Sequence, residues 1–491
     1  MILNLFSNLS FYIPEVLVII TMCSLLFIES SYGPAEKERK LVFIAATIGL
    51  VLAFVSLMFN LGEESKLIFA NAVVIDKFST LLKMIMVLGT LGVVYLSKSS
   101  LDIYRGLKSE FLIMVMGVLV GGMLLASANN LLTVYLGIET LSILSYVLTS
   151  FKRHEATSTE AGIKYALYGG ISAGVMLFGM SHIYGLLGTI QFAEMLPAFA
   201  KVQEAGQQWL MMASFIMFFV GIGYKIACVP FHMWSPDVYQ GSPIPVTTFF
   251  SIVPKMAGIA VLVRVSLLFF GESQSAVEIG WFGLIQIIAA LTMSVGNISA
   301  IGQDSMKRLL AYSSIGHVGM MLLGVLTLNT VGPKIIVFYG INYLFMTLVA
   351  FYITSAVSDK FGSDSQASFK GLVTKNPFMA ILMSISLFSL AGLPPFSGFI
   401  AKFNMLAAVV DAKYYGLAFV AAVNSVISLY YYVKVVKVMI FSKAEMEGPI
   451  DTFRFSNQAL IALCTLPVII LGLFWDKLML LSEGAKIFIQ Q

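Results

Sequence analysis

Charge is scarce in this chain. Only 11% of the 491 residues are charged and only 4 are histidine, where soluble domains carry about 25% charged residues. Apolar residues make up 58% of the chain, and its mean hydropathy is +0.90. So little charge cannot cover a water-facing surface, so the chain reads as a polytopic membrane protein. Cysteine is scarce too: Cys23, Cys228 and Cys464 lie far apart in apolar runs. They form no CxxC and no Cys/His set, which argues against iron–sulfur or zinc binding by this chain. No GxGxxG or GxxxxGK[ST] follows a strand pattern, so no nucleotide site is indicated. The Lys and Arg residues are scattered among loops and form no stripe, so the net charge of +4 is no sign of nucleic acid. The opening residues, MILNLFSNLSFYIPE, lack a basic region, which predicts that the first span is not a cleaved signal.

What the chain does have is long apolar runs. A spanning helix needs about 20 apolar residues. Runs between polar breaks predict an all-α polytopic membrane protein with about 14 transmembrane helices, near 11–29, 41–60, 74–97, 110–127, 130–150, 160–188, 208–240, 246–270, 280–301, 308–328, 334–357, 377–410, 414–441 and 457–482. Two runs, 208–240 and 377–410, are too long for one simple span, and both hold proline in the middle. Proline lacks an N–H and clashes with the carbonyl four residues back. In lipid the freed carbonyls must find partners, so broken helices occur where they line a cavity or are buried by protein. Pro230, Pro394 and Pro395 therefore place freed backbone beside lysines inside the membrane.

Short-loop Lys and Arg mark the cytoplasmic side. Loops after odd-numbered spans hold 17 of them, including Lys37, Arg39, Lys98, Lys152, Lys307, Arg308, Lys434, Lys437 and Arg454, against 4 after even-numbered spans. Odd loops are thus expected in the cytoplasm and both termini outside.

Ionisable groups inside spans are functional candidates by default, and the competing reading is a side chain that snorkels to the interface. Depth separates the two. Glu139 lies near the middle of the fifth run, where a carboxylate cannot snorkel. Lys225 follows a long uncharged stretch in the seventh. Lys255 follows Pro254 well inside the eighth, and Lys402 sits midway through the twelfth. Lys164 is about a turn from a cytoplasmic end, so snorkelling competes there. His317 has the alternative of a satisfied core histidine. His182 lies nearer an outer end, and His232, after the proline break, reads equally as a backbone tie or a proton carrier. Lys307, Arg308, Lys434 and Lys437 read as orientation charges, and Asp237 as a cap in a polar turn.

The spacing carries a faint repeat. Glu139 to His317 and Lys164 to Asn342 both span 178 residues, and Lys225 to Lys402 spans 177. Two five-helix units of odd span number would be inverted, a transporter signature when paired with broken helices. The expected organisation is helices 1–3 over 1–108, a first repeat of helices 4–8 over 109–272, a second of helices 9–13 over 273–442, and a last helix over 443–491.

Three segments, KIACVPFHMWSPDVYQGSPIPV, MKRLLAYSSIGHVG and LAGLPPFSGFIAKF, together resemble the antiporter-like membrane subunits of respiratory complex I, the NADH–quinone oxidoreductase. The resemblance covers the fourth to thirteenth runs strongly and the ends weakly. It implies a proton-translocating subunit in which Glu139, Lys164, Lys225, Lys255, His317 and Lys402 transfer protons, with Lys164 neighbouring Glu139. It implies that NADH, FMN, iron–sulfur clusters and quinone belong to other subunits, with no cofactor in this chain. It also implies partners that include paralogous antiporter-like subunits, and a place in the bacterial inner membrane. Burial disfavours the charged form of a lysine and a nearby carboxylate favours it, so moving charge near Glu139 would change whether Lys225 holds its proton. The alternative is a subunit of a multisubunit cation/proton antiporter; a scaffold with a dead channel has no reason to retain so many buried charges.

The charge bias makes one expectation directly measurable. A reporter fused after Gln491 is expected to be active only when it matures on the outer side. Activity confined to the cytoplasm would reverse the orientation.

Overall fold

The computed structural model describes residues 9–32, 36–268, 276–328, 331–443, 455–483, 485 and 487. The expected boundary at 272/273 and the loop residue Arg454 lie outside the described residues. Helix dominates because hydrocarbon offers no hydrogen bonds, and a helix satisfies its own backbone. The elements run α1 (Ile13–Tyr32), α2 (Glu36–Asn60), a hairpin of β1 (Lys66–Ile68) and β2 (Val73–Ile75), α3 (Lys77–Ser99), α4 (Lys108–Ala126), α5 (Leu131–Thr149), α6 (Ala156–Leu187), α7 (Phe192–Glu204), α8 (Gln208–Ile226), α9 (Trp234–Gly241), α10 (Ile244–Leu267), α11 (Ala276–Ile301), α12 (Met306–Val325), α13 (Gly332–Phe361), α14 (Leu372–Lys375), α15 (Pro377–Ala391), α16 (Ser397–Asp411), α17 (Tyr415–Phe441), α18 (Phe455–Leu473) and α19 (Trp475–Glu483).

Among the described residues, twelve helices are long and apolar enough to cross a membrane, and thirteen if the bent pair α18–α19 counts as one. The predicted run 377–410 is the remaining one: it forms two helices of 15 residues each, neither long enough to span alone. Three details depart from the expected runs. The stretch after the sixth run carries α7, with Pro197 inside it. The last run bends by 87° between α18 and α19. A two-stranded antiparallel hairpin, pairing Lys66 with Ile75 and Ile68 with Val73, joins α2 to α3. Its strands are 3 residues each, too short for an alternation to stand out from the flanking apolar runs.

Helix α10 is the centre. Its apolar window is 100% buried, and it packs against α3, α4, α8, α12 and α13. A helix apolar all round is one enclosed on all sides. By contrast α1 and α6 bury only 28% of their windows and form the periphery.

Both proline-containing runs break where expected. Helix α8 ends at Ile226 with Ala227 left-handed at φ 58, and α9 resumes at Trp234. The freed backbone finds protein partners: Trp234 Nε1 donates to the Tyr224 carbonyl at 3.0 Å, and Val229 N–H to Thr292 Oγ1 at 3.0 Å. In the second break Gly392 caps α15 at φ 86, a conformation that glycine adopts without strain. A Cβ there would also lie 2.7 Å from Lys402 Cδ. Helix α18 closes over this break, since a Cβ at Gly472 would sit 2.1 Å from the Pro395 carbonyl oxygen.

Two buried ion pairs fasten the first helices to the core. Asp76 caps α3 by accepting from Ser79 N–H at 2.8 Å, and Arg264 of α10 donates Nη2 to both its oxygens at 2.9 Å. Arg264 Nε also donates to the Ala126 carbonyl at 3.1 Å, so three helices meet at one guanidinium. One face further along α3, Lys83 approaches Glu15 of α1 at 2.6 Å, with side-chain exposures of 2% and 0%. The separation is that of an ion pair, while neither Glu15 oxygen has a well-aligned hydrogen bond.

Removing one partner of a buried pair strands the other charge, which costs about 3–5 kcal/mol. Lys83→Met is therefore expected to lower the thermal midpoint of the detergent-solubilised protein by several degrees, and adding Glu15→Gln to recover most of the loss. A single variant as stable as the parent would show that the pair contributes nothing to packing.

Candidate functional site

Helix α5 starts cleanly because Asn130 caps it, accepting from Thr133 N–H at 2.7 Å. Glu139 lies two turns in, partly exposed, with Oε1 buried and without a hydrogen-bond partner. One turn further along the same face, Ser142 Oγ accepts from Lys225 Nζ at 3.0 Å. Residues three apart on a helix are neighbours, so Ser142 brings Lys225 to the flank of Glu139. Lys225 is fully buried. Its ammonium lies 3.5 Å from the Tyr165 hydroxyl and 5.5 Å from that ring's centre. Tyr165 is held in place by stacking on Trp234 at 4.4 Å and by the Tyr224 hydroxyl, which donates to the Tyr165 carbonyl at 2.7 Å.

Lys255 sits at the middle of α10, fully buried. Its Nζ donates to Ser314 Oγ at 2.5 Å and lies 5.8 Å from the centre of the Tyr239 ring. Ser314 belongs to α12, one turn before His317. The His317 ring sits between two hydroxyls: Nδ1 is 2.6 Å from Tyr339 and Nε2 is 3.3 Å from Tyr432. A neutral imidazole has one donor and one acceptor nitrogen, and hydroxyls meet both needs. Ser313 extends this group by its bond to the Tyr432 hydroxyl.

Lys402 completes the series. Its Nζ donates to the Ala391 carbonyl at 2.9 Å and to Ser428 Oγ at 3.2 Å. A cavity of about 10 Å³ lies between Lys402 and His317, walled also by Asn297, Asn424 and Ser428, room for about one water molecule. Asn297 is itself bridged, donating to Asn424 Oδ1 at 3.2 Å and accepting from the Tyr431 hydroxyl at 3.0 Å.

The two broken spans place their lysines alike by different routes. Lys225 lies in the last turn of α8. Lys402 comes after its break yet reaches back to the terminal carbonyl of α15. In each case a cation stands at a helix carboxyl end, where the unpaired carbonyls favour positive charge.

Among the expected residues, Lys225, Lys255, His317 and Lys402 are buried, and Glu139 lies beside Lys225 through Ser142. Lys164 stands apart. It precedes Tyr165 by one position on α6, and neighbouring helix positions face different ways. Its ammonium is 2.7 Å from Glu160 and 2.8 Å from Asp237, where the resemblance implies Glu139 as its neighbour. Asp237, expected as a cap, instead lies within α9 and also binds Arg308 Nη1 at 2.8 Å. Arg308 and Lys307 do more than orient the chain, since Lys307 Nζ donates to the carbonyls of Gln240 at 2.6 Å and Ser242 at 3.2 Å. His182 packs its ring on Phe178 at 4.4 Å. His232 is buried in the first break with Nδ1 unpartnered. Sequence reasoning passed over Ser142, Ser314, Tyr432, Asn297 and Asn424, because uncharged polar residues in apolar runs give no signal until something is placed beside them.

The family model for "NADH:quinone oxidoreductase/Mrp antiporter, TM" matches residues 128–428, which hold Glu139, Lys164, Lys225, Lys255, His317 and Lys402. The NADH-quinone oxidoreductase subunit N of Nitrosomonas europaea is 36% identical, covering 96% of each chain. A chain in the solved structure of respiratory complex I from Thermus thermophilus with bound aureothin is 29% identical, with a TM-score of 0.80 over 95% of this chain and 98% of that one. A chain of the Mrp complex from Dietzia sp. is 20% identical with a TM-score of 0.83 over 97% of each and shares the fold. The chain belongs to the NADH:quinone oxidoreductase/Mrp antiporter family of membrane subunits, and within it to the group of NADH-quinone oxidoreductase subunit N.

Proposed function

We propose that this chain translocates protons as a membrane subunit of NADH–quinone oxidoreductase, driven by quinone reduction elsewhere in the complex. Glu139, Lys164, Lys225, Lys255, His317 and Lys402 are the proton-transfer groups, and Pro230, Pro394 and Pro395 are the breaks that let lysines face helix ends. The observation that carries this reading is the company each buried amine keeps. Lys225, Lys255 and Lys402 are bonded to neutral oxygens, those of Ser142, Ser314, Ser428 and Ala391. A carboxylate partner holds an ammonium charged, whereas a hydroxyl serves either protonation state, as donor or as acceptor. Such sites, at Lys225, Lys255 and Lys402, can load and unload a proton, and Lys164, between two carboxylates, takes part through its charge.

The order of the groups supports a path that passes from helix to helix: Glu139 beside Lys225, then Lys255 on Ser314, then His317 one turn on, then the cavity to Lys402. Charge arriving at or leaving Glu139 acts on Lys225 across one helical turn. NADH, FMN, iron–sulfur clusters and quinone are assigned to other subunits, and paralogous antiporter-like subunits are the neighbours within the membrane. The two five-helix groups are read as inverted repeats, with helices 4–8 over 109–272 and 9–13 over 273–442. The setting is the bacterial inner membrane, with both termini outside. A cation/proton antiporter subunit is the second reading, supported by the shared fold with the Mrp chain, and it is weaker than the higher identity to subunit N over the whole length.

Two substitutions test the path in membrane vesicles that hold the assembled complex. Glu139→Gln keeps size and hydrogen bonding but removes charge, and proton uptake is expected to fall about tenfold or more, with Glu139→Asp milder. Uptake equal to the parent's would make Glu139 structural.

At Lys255 the relay and fixed-charge roles predict opposite rankings. Lys255→Met keeps the stem and loses the titrating group, and Lys255→Arg keeps the charge but holds its proton too tightly to pass it on. Both are expected to depress uptake with the complex assembled. Tolerance of Arg together with failure of Met to assemble would assign Lys255 a fixed charge instead.

A further inference from the structure

Asp237 serves two cations from two different parts of the chain. Its Oδ2 lies 2.8 Å from Lys164 Nζ, on α6. Its Oδ1 lies 2.8 Å from Arg308 Nη1, on α12. Arg308 is anchored in turn: Nη1 donates to Gln240 Oε1 at 2.9 Å and Nε to Gln303 Oε1 at 3.0 Å. The carboxylate is therefore oriented by the guanidinium and offers its second oxygen to Lys164. Glu160 also touches Lys164, at 2.7 Å. It stands four residues back on the same helix, is 63% exposed, and moves with α6, so it cannot direct the ammonium toward another element. Meanwhile Glu139 Oε1, on the adjoining helix α5, is buried with no hydrogen-bond partner. Helices α5 and α6 pack against each other, and a lysine stem is long and flexible.

We propose that Asp237 is a positioning residue that parks the Lys164 ammonium away from Glu139 and can release it without losing its own countercharge. The proposal rests on the proton path of the preceding section and adds a residue that acts through Lys164. An isolated ion pair resists opening because each charge is left bare. Here Arg308 stays on Asp237 when Lys164 leaves, and Glu139 offers the departing ammonium a carboxylate oxygen that has no other donor. The parked position keeps positive charge off the Glu139–Lys225 pair, and the released position brings it there, where it would weaken the hold of Glu139 on Lys225. Because Arg308 is on α12, five residues after Gln303 and in the same helix as Ser314 and His317, the parking site is tied to the second half of the path.

The test reads protons taken up per NADH oxidised in vesicles holding the assembled complex. Asp237→Asn is expected to lower that ratio roughly tenfold, the equivalent of one charge-assisted hydrogen bond, and Asp237→Glu to restore most of it. Lys164→Gln is expected to lower the ratio too, and adding Asp237→Asn to it to cause no further loss, since the carboxylate acts through that lysine. Independent losses that multiply in the double variant would overturn the proposal, as would a normal ratio in Asp237→Asn. Glu139→Gln is run alongside: a normal ratio there rejects the proton path itself, whereas loss in Glu139→Gln with no change in Asp237→Asn rejects only the parking role. If Asp237→Asn does not assemble, Asp237→Ser and Asp237→Glu are measured in its place. Failure of all three to assemble would make Asp237 structural and overturn the proposal.

Discussion

Hydrocarbon supplies no hydrogen bonds, so each charge buried in this protein takes its partner from the protein itself. The choice of partner sets five of the buried cations in two groups. Lys83 and Arg264 face carboxylates, Glu15 and Asp76, and act as fixed fasteners between helices. Lys225, Lys255 and Lys402 face serine hydroxyls and a backbone carbonyl. The same residue type thus pairs directly with a carboxylate in one place and with neutral oxygens in another, and the proposed proton carriers are of the second kind.

The breaks supply the remaining partners. A continuous helix would use its own carbonyls and leave a lysine nothing but side chains to face. Ending α8 after Lys225 and α15 before Gly392 exposes carboxyl-end carbonyls at depth, and one of them, Ala391, binds Lys402 directly. In the first break Trp234 and Thr292 each meet one backbone group, the Tyr224 carbonyl and the Val229 N–H. Gly392 and Gly472 are where the chain had no room for a Cβ: one to let Lys402 fold back, the other to let α18 close the break.

Around this axis the scaffold is built by contact with α10. Enclosed on all sides, it joins the α3–α4 pair at Asp76–Arg264 to the α12–α13 pair at Lys255–Ser314. Tyr352 of α13 adds a tie by donating to the Gly92 carbonyl of α3 at 2.6 Å. The proposed proton path needs such a shared wall, because a shift of α10 against α12 would separate Lys255 from Ser314.

The sequence by itself determined the class, the apolar runs, the two broken spans, and the depth of Glu139, Lys225, Lys255 and Lys402, because hydropathy and proline act locally along the chain. Depth alone also made His317 a candidate, but not its two tyrosine partners, which come from other helices. Only the tertiary structure decided who meets whom. The 177-residue offset between Lys225 and Lys402 hinted at equivalence, while their prolines lay on opposite sides; that Lys402 bends back to the Ala391 carbonyl was visible only in the packing. The pairing of Lys164 with Asp237 and the fastening of Glu15 to Lys83 were likewise invisible, since both join residues far apart in sequence. Spacing along a chain fixes the face on which a side chain starts, and the charge it ends beside depends on how the helices assemble.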